Sequence, residues 1–289
     1  MPGSRAGRSA LRCAILRRSG DSRRDDNRLV LHRASAPWLD RPGSRAGLAG
    51  GRLRCYRDSV LTLSANGTAA AVLFDIDGTL VDSNYLHIDA WQRAFGEVGI
   101  DVETWRIHRS IGMDGSTLVK TLSDDAPEDE QKRLKDLHSR YYREVASLLQ
   151  PLPGARALLR RVADLGLQVV LATSAPEDEL KLLRKVLDCD ELVAAVTSSA
   201  DVDTAKPQPD IIEVALDRAD VTAEQAVFVG DAIWDAEACS RAKLTCIGVL
   251  SGGVSASELR DAGAVQVFEN AEKLLANIEQ TRIAELAAR

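Results

Sequence analysis

Short runs of consecutive apolar residues recur along the chain from residue 69 onwards. Five of them have the length of a strand, at 69–74, 168–172, 192–197, 226–230 and 244–250. Runs without alternating polar positions are typical of strands that are buried on both faces of a parallel sheet. The pattern therefore predicts a buried parallel sheet.

Amphipathic stretches with helical spacing lie between most of these runs. Two examples are ARALLRRVADLG at 155–166 and DIIEVALDRAD at 210–220, in which the apolar residues fall on one face of a helix. Strands and helices in alternation predict an α/β fold, a Rossmann-like parallel sheet with helices on both faces.

One long interval interrupts this alternation. About ninety residues between the first two runs contain no strand-like pattern, but helical patterns at 85–99, 115–122 and 129–149. A loop of that length without secondary structure is uncommon in a compact domain. We expect an inserted helical subdomain, with Pro-Leu-Pro-Gly at 151–154 marking the return to the sheet.

Charge divides the chain into two unlike parts. Residues 1–58 contain 14 Arg, five Asp and no Lys or Glu, whereas the remainder holds 23 Lys and Arg against 38 Asp and Glu. An acidic body argues against nucleic acid as a partner, because phosphate backbones bind to basic surfaces.

The N-terminal segment has little apolar periodicity and repeats PGSRAG at 2–7 and 42–47. We expect residues 1–67 to be a disordered Arg-rich tail or a mis-assigned start. A basic arm for nucleic acid and an Arg-rich targeting peptide are the functional alternatives. The three Asp at 21–27 argue against a targeting peptide.

Cysteine usage and hydropathy bear on the compartment. The five cysteines are widely spaced and include no CxxC pair, which favours a reducing environment and predicts a cytoplasmic protein. No apolar stretch approaches the ~20 residues that span a bilayer, so no membrane partner is expected. Oligomeric state is left open.

Polar side chains follow several of the predicted strands. The first strand runs into Asp75 and Asp77, and the second into Thr173 and Ser174. Lys206 follows the third strand, within DTAKPQPD at 203–210. Ligands of open parallel sheets bind beyond the carboxyl ends of the strands. We therefore expect these side chains to share one site.

The fourth strand adds two more carboxylates, Asp231 and Asp235. Asp75, Asp77 and Asp231 would repel one another unless a hard cation lay among them. Oxygen ligands with open positions suit Mg²⁺, which completes its shell with water and substrate phosphate. Lys206 and the Thr173 hydroxyl suit the other side of a phosphate group.

This ordered set of motifs resembles that of the haloacid dehalogenase-like hydrolases. DIDGT at 75–79 matches the family's DxDGT signature, Thr173 its hydroxyl motif and Lys206 its lysine motif. GDAIWD at 230–235 matches its acidic GDxxxD motif, and the resemblance extends over about residues 70–275.

The resemblance also implies a domain organisation. The helical insert at 84–150 corresponds to the family's helical cap, and residues 68–83 and 151–289 to its α/β core. DSNYLHIDAW at 82–91 is similar to the phosphoglycolate phosphatase and β-phosphoglucomutase branch.

Catalytic roles follow from the resemblance. It implies that Asp75 attacks phosphorus to form an aspartyl-phosphate, with Asp77 as general acid and then general base. It further implies that Mg²⁺ is bound by the Asp75 carboxylate, the Asp77 main-chain carbonyl and Asp231, with Asp235 in support.

Phosphate contacts are expected from six residues. They are Gly78, Thr79, Thr173, Ser174, Lys206 and, in the cap–core cleft, His87, for which packing at a hinge is the alternative. For other conspicuous residues we favour structural interpretations. Trp91 and Trp234 are expected to pack, Arg109 and Lys120 to be exposed cap charges, and Cys239 and Cys246 to be inert core residues.

The predicted function is a Mg²⁺-dependent phosphatase, a phosphoric monoester hydrolase acting on a small phosphorylated metabolite. Asp77 favours phosphate esters over dehalogenation, because dehalogenases of this family lack the second aspartate. A β-phosphoglucomutase-like phosphomutase stays an alternative, although Asp114 and Gly115 stand where a mutase carries an arginine. A non-catalytic phosphate- or partner-binding module is the third alternative.

Overall fold

The computed structural model describes residues 70–202, 204 and 206–289. The predicted tail at 1–67 lies outside the described residues, together with residues 68 and 69 of the predicted core. Eight strands occur in the described part. They are β1 Ala71–Phe74, β2 Val81–Asp82, β3 Gln150–Pro151, β4 Gln168–Ala172, β5 Val193–Thr197, β6 Ala226–Gly230, β7 Thr245–Val249 and β8 Gln266–Phe268.

Six of these strands form one parallel sheet in the order β5–β4–β1–β6–β7–β8. The five predicted strands are confirmed, with ends that differ by at most two residues. Strand β8 was not predicted, because its three half-buried residues are too few to form an apolar run. If the six strands of this sheet are numbered 1 to 6 in chain order, their order across the sheet is 3-2-1-4-5-6. This is the strand order of dinucleotide-binding Rossmann folds.

Strand β1 occupies the centre of the sheet. Its last residue, Phe74, pairs with Leu171 of β4 and with Val229 of β6. The chain runs outward from β1 through β4 and β5, and then returns to the other side at β6. Beyond the carboxyl ends of β1 and β6 the connections diverge to opposite faces, which leaves a crevice for a ligand.

Eleven α-helices lie in the described part of the chain, four of them between β2 and β3. They are α1 Asn84–Val98, α2 Thr104–Ser110, α3 Gly115–Leu122, α4 Glu128–Val145, α5 Ala155–Asp164, α6 Glu177–Leu187, α7 Asp210–Ala219, α8 Ile233–Ala242, α9 Ala256–Asp261, α10 Ala271–Ala276 and α11 Arg282–Ala287. All five helical stretches named from the sequence are confirmed by these bounds.

Successive residues of β1 face opposite sides of the sheet, as in any strand. Val72 and Phe74 pack into one apolar cluster with helices α5, α6, α10 and α11. Ala71 and Leu73 pack into a second cluster with α7, α8 and α9. Helices therefore cover both faces, and the predicted α/β Rossmann-like architecture is confirmed.

Helices α1 to α4 pack around an apolar cluster of their own, which includes Phe95, Ile107 and Leu134. The prediction of no strand between β1 and β4 was wrong in one detail. Strands β2 and β3 pair antiparallel at Val81 and Pro151, so the helical segment leaves and rejoins the sheet domain at a single two-stranded ribbon. These pairs are too short to produce a strand signal in the sequence.

Membrane-spanning helices are absent from the described residues. None of the helices found there combines the length and the apolar composition that crossing a bilayer requires.

Candidate active site

The carboxyl ends of β1, β4 and β6 meet at one edge of the sheet. β1 leads into Asp75, β4 into Thr173 and β6 into Asp231. The Asp75 amide donates to the Val229 carbonyl over 3.0 Å, which holds the residue that follows β1 against β6. The predicted convergence of strand ends is therefore observed for these three residues.

A cleft of about 820 Å³ lies between this edge and helices α1, α3 and α4. Its sheet-side wall contains five of the predicted site residues, which are Asp75, Asp77, Thr173, Ser174 and Lys206. Ala175, next to Ser174, also lines this wall. Asp231 and Asp235 do not line the cleft. They are buried beside Asp75.

Lys206 is almost fully buried and pairs with two carboxylates. Its Nζ lies 2.8 Å from Asp75 Oδ1 and 2.8 Å from Asp235 Oδ1. Burial lowers the pKa of Lys206, but the two carboxylates raise it more, so the amine stays charged. Burial raises the pKa of Asp75 to about 7, because the opposing effect of Lys206 is smaller. One lysine therefore does not neutralise this acidic cluster.

Asp231 is held by two side chains from the segment after β1. The Thr79 hydroxyl donates to Oδ1 over 2.8 Å, and the Asn84 amide donates to Oδ2 over 2.9 Å. Burial, followed by the charges of Asp235 and Asp75, raises the pKa of Asp231 well above its ordinary value. The carboxylate is fixed in position, and no ion pair to it occurs among the described residues.

These carboxylates fit a hard divalent cation. One oxygen from each of Asp75, Asp231 and Asp235 lies within 4.8 Å of the other two, and all three residues are buried. The donor set consists of oxygens only, which Mg²⁺ and Ca²⁺ prefer. A bound cation would supply the charge that Lys206 alone does not.

Asp77, two residues after Asp75, contacts helix α1. Ser83 Oγ donates to Asp77 Oδ1 over 2.6 Å, and His87 Nε2 lies 3.2 Å from the same oxygen. Burial raises the pKa of Asp77, but the hydrogen bond and charge of His87 lower it more. The pKa of His87 is raised correspondingly, because Asp77 outweighs the effect of burial.

Two further buried residues continue this contact away from Asp77. His87 Nδ1 lies 3.0 Å from His138 Nε2 on α4, and His138 Nδ1 lies 3.6 Å from Glu179 Oε1 on α6. Burial and the charge of His87 hold the pKa of His138 well below its ordinary value. Burial raises the pKa of Glu179 to about 7.

The predicted phosphate-binding residues do not all face the cleft. Thr173 and Ser174 line it, but Gly78 and Thr79 do not. The Gly78 amide donates to the Val81 carbonyl, and the Thr79 hydroxyl is bonded to Asp231. The expectation of phosphate contacts from Gly78 and Thr79 stays a prediction: in the structure both residues lie in the turn after β1, and Thr79 holds Asp231.

Residues 72–249 match the family model for haloacid dehalogenase-like hydrolases. The chain belongs to this family. Among curated relatives, a phosphorylated carbohydrates phosphatase from Thermotoga maritima is 31% identical over 212 residues, covering 71% of this chain and 96% of the relative. A phosphoglycolate phosphatase from Rhodospirillum rubrum is 29% identical over 210 residues, covering 69% and 87%.

A solved structure agrees with this assignment. The crystal structure of a hydrolase from Pseudomonas syringae superposes with a TM-score of 0.71 at 35% identity, covering 73% of this chain and 98% of that one. The predicted family, the α/β fold and the prediction of a phosphatase-type haloacid dehalogenase-like hydrolase are confirmed.

Sequence reasoning missed three residues of the site in this hydrolase: Asn84, His138 and Glu179. His138 follows the apolar spacing of α4, where Leu134, Leu137 and Tyr142 are also buried. Glu179 precedes Leu183 by four residues on the buried face of α6. A polar residue at an apolar position of a helix was the available signal. The sequence contains no such signal for Asn84, because its contact with Asp231 depends on the fold.

The residues for which the sequence suggested packing or surface roles differ in their burial and contacts. Trp91 is buried and stacks on His138, with ring centroids 4.0 Å apart, and it also lines the cleft. Arg109 pairs with Glu258 at 2.7 Å, and Lys120 is exposed beside Asp125. Trp234 is half-buried, and Cys239 and Cys246 are buried.

Proposed function

We propose that this hydrolase is a Mg²⁺-dependent phosphatase that cleaves small phosphate monoesters through an aspartyl-phosphate on Asp75. The observation that carries the proposal is the arrangement around Asp75. Lys206 lies 2.8 Å from its carboxylate, and a second carboxylate, Asp77, is held beside it by His87. A nucleophile next to an acid–base residue and a cation is what transfer of a phosphoryl group requires.

In the first step, an Asp75 carboxylate oxygen attacks phosphorus as the bond from phosphorus to the alcohol oxygen breaks. The alcohol oxygen takes a proton from Asp77. Because Asp77 raises the pKa of His87 and His87 lowers that of Asp77, the pair holds this proton between Nε2 and Oδ1. Thr173 and Ser174, which line the cleft, bind the phosphoryl oxygens, and Lys206 offsets their charge.

In the second step, water attacks phosphorus and gives a proton to Asp77. The bond from phosphorus to Asp75 breaks, which releases inorganic phosphate and restores both carboxyl groups. A low pKa of Asp77 limits its strength as a base, and the contact with His87 allows the proton to be shared.

We propose that the Asp75 carboxylate, the Asp77 main-chain carbonyl and Asp231 bind Mg²⁺, with Asp235 in support. When bound, Mg²⁺ supplies positive charge that favours ionised Asp75 and stabilises the transferring phosphoryl group. Asn84 and Thr79 act by orienting Asp231.

We also propose the domain division expected from the sequence, with a core at 68–83 and 151–289 and a helical cap at 84–150. The separate apolar cluster of α1–α4 and the single ribbon at β2–β3 support it. The substrate then lies in the cleft between cap and core.

The cleft favours a monoester over the two phosphates of a mutase substrate. No arginine is among the described residues that line it, and its lysines are Lys135 and Lys206. Lys135 donates to the Ser116 hydroxyl at the cleft, and Lys206 is paired with Asp75 and Asp235. A second phosphate would find little positive charge there.

The test is phosphate release by the full chain from a panel of small phosphate esters, with Mg²⁺ and with chelator. We expect Mg²⁺-dependent release that Asp75→Asn lowers by about 1,000-fold or more. Asp82→Asn is the matched control, because Asp82 is an exposed carboxylate of β2. Conversion of β-glucose 1-phosphate to the 6-phosphate without release would favour the mutase. No turnover of any ester would favour the binding module.

A further inference from the structure

We propose that His138 and Glu179 are positioning residues for this reaction: with His87 they form a buried chain of polar contacts that fixes the ring and the proton of His87 against Asp77. The proposal rests on the proposed function of Asp77 as acid and base. It gives a role to two residues that do not belong to any of the four motifs.

The chain of polar contacts is continuous and uses both nitrogens of the His87 ring and of the His138 ring. Its three contacts measure 3.2 Å from Asp77 to His87, 3.0 Å from His87 to His138 and 3.6 Å from His138 to Glu179. Ser139 Oγ also donates to Glu179 Oε1, over 3.3 Å. Every residue from His87 onward is at least nine-tenths buried.

The carboxylate at its far end sets the direction of the hydrogen bonds. The ionised Glu179 carboxylate, 3.6 Å from His138 Nδ1, attracts a proton to that nitrogen, so His138 Nε2 is left as an acceptor. That nitrogen faces His87 Nδ1, which must then donate. His87 consequently carries N–H on both nitrogens, and its Nε2–H is directed at Asp77 Oδ1.

Aromatic neighbours restrict the ring orientations. Tyr142 stacks on His87 and Trp91 stacks on His138, each with ring centroids 4.0 Å apart. Neither ring can rotate out of line without losing this packing. The chain also joins three helices, since His87 lies on α1, His138 on α4 and Glu179 on α6.

Stability alone does not account for these residues. Two histidines and a glutamate buried among apolar helices are costly, and apolar residues of similar volume are often equally stable or more so. All three line the cleft next to Asp77. The arrangement is therefore better explained by the reaction than by the fold.

The test compares two esters whose leaving groups differ in their need for a proton. An alkyl phosphate needs protonation of the departing oxygen, whereas p-nitrophenyl phosphate leaves as a stable anion. We expect Glu179→Met and His138→Phe to lower kcat/KM for the alkyl ester by about 10- to 100-fold. For the aryl ester we expect a change within about threefold, because its first step does not need the acid.

Conservative variants separate positioning from packing. Glu179→Gln keeps an acceptor oxygen and should stay within about threefold of wild type on both esters. Glu177→Gln is the matched control, because Glu177 lies in the same turn of α6 but is exposed. Equal losses on the two esters, or wild-type turnover of the alkyl ester by Glu179→Met, would overturn the proposal.

A spectroscopic readout is independent of turnover. The chain has four histidines, so ¹⁵N-histidine NMR can resolve them. We expect His138 protonated on Nδ1 in wild type and in Glu179→Gln, and a changed tautomer in Glu179→Met. The same tautomer in all three proteins would contradict the proposal. If wild type cleaved neither ester, the proposed function would fail. The NMR measurement would still decide whether the polar contacts from His87 through His138 to Glu179 exist.

Discussion

Glu179 illustrates how burial alters a single carboxyl group. Its side chain is 4% exposed, and burial raises its pKa from 4.5 to about 7. The folded protein therefore binds a proton at Glu179 over a pH range in which the unfolded chain has released it. Such a group stabilises the fold below its unfolded pKa, and the contribution is lost as pH rises through the folded pKa.

A pH-dependent difference between wild type and Glu179→Gln follows, because Gln does not titrate. Between pH 4.5 and values above 7, the free energy of unfolding of wild type should fall relative to that of the variant. The expected change is about 3 kcal/mol. Urea unfolding at pH 5, 6, 7 and 8 measures it. Glu177→Gln should follow wild type, and a difference for Glu179→Gln that is constant with pH would contradict this prediction.

At the scale of elements, helix α1 brings several functional side chains to the site. Asn84, His87 and Trp91 are spaced by three and four residues and lie on one helix face. Asn84 contacts Asp231, His87 contacts Asp77 and Trp91 stacks on His138. A rotation of α1 would therefore disturb the proposed metal-binding carboxylate and the proposed acid–base residue together.

The turn after β7 makes room for Asp231. A Cβ added to Gly252 would collide with Asp231 Oδ2 and would lie 2.9 Å from Asn84 Nδ2. The backbone of Gly252 is not in the left-handed region, so a side chain there is opposed by these contacts and not by backbone strain.

We expect Gly252→Ala to lower Mg²⁺-dependent turnover by about tenfold or more, since it displaces a proposed metal ligand. The cost to the free energy of unfolding should be about 1–3 kcal/mol. Steady-state kinetics over a range of Mg²⁺ concentrations, with thermal unfolding, measure both. Gly96→Ala is the control, because its added Cβ has no atom of the described residues within 4 Å, apart from its chain neighbours and the backbone of its own helix. Unchanged turnover by Gly252→Ala would show that Asp231 is not required.

At the scale of the whole molecule, the site joins segments from both halves of the sheet. Asp75 comes from β1, Asp231 and Asp235 follow β6, and Lys206 follows β5. A cation bound among these carboxylates would bind the folded chain and not the unfolded one, so it should stabilise the fold.

Mg²⁺ at 100 times its dissociation constant should add about 2.7 kcal/mol to the free energy of unfolding. That corresponds to an increase in Tm of about 5–10 °C for a domain of this size. Differential scanning calorimetry with Mg²⁺ and with EDTA measures the shift. Asp231→Asn should abolish it and should not lower Tm in EDTA, because a buried carboxylate with a raised pKa is removed. Asp82→Asn should keep the shift, and a shift of equal size in Asp231→Asn would rule out this ligand.

The sequence by itself determined the order of the strands along the chain and which residues follow them. Apolar runs mark β1, β4, β5, β6 and β7, because strands buried on both faces consist mostly of apolar residues. The parallel arrangement then brings Asp75, Thr173 and Asp231 to one edge, without knowledge of any side-chain contact.

Only the tertiary structure decided which side chains meet within the site. Asn84 and Asp231 are 147 residues apart, and Lys206 lies 131 residues from Asp75. The contact of His138 with Glu179 depends on how α4 packs beside α6, which no local spacing specifies. Local patterns report burial and periodicity, whereas the partner of a buried polar group is set by the packing of segments that are distant in the chain.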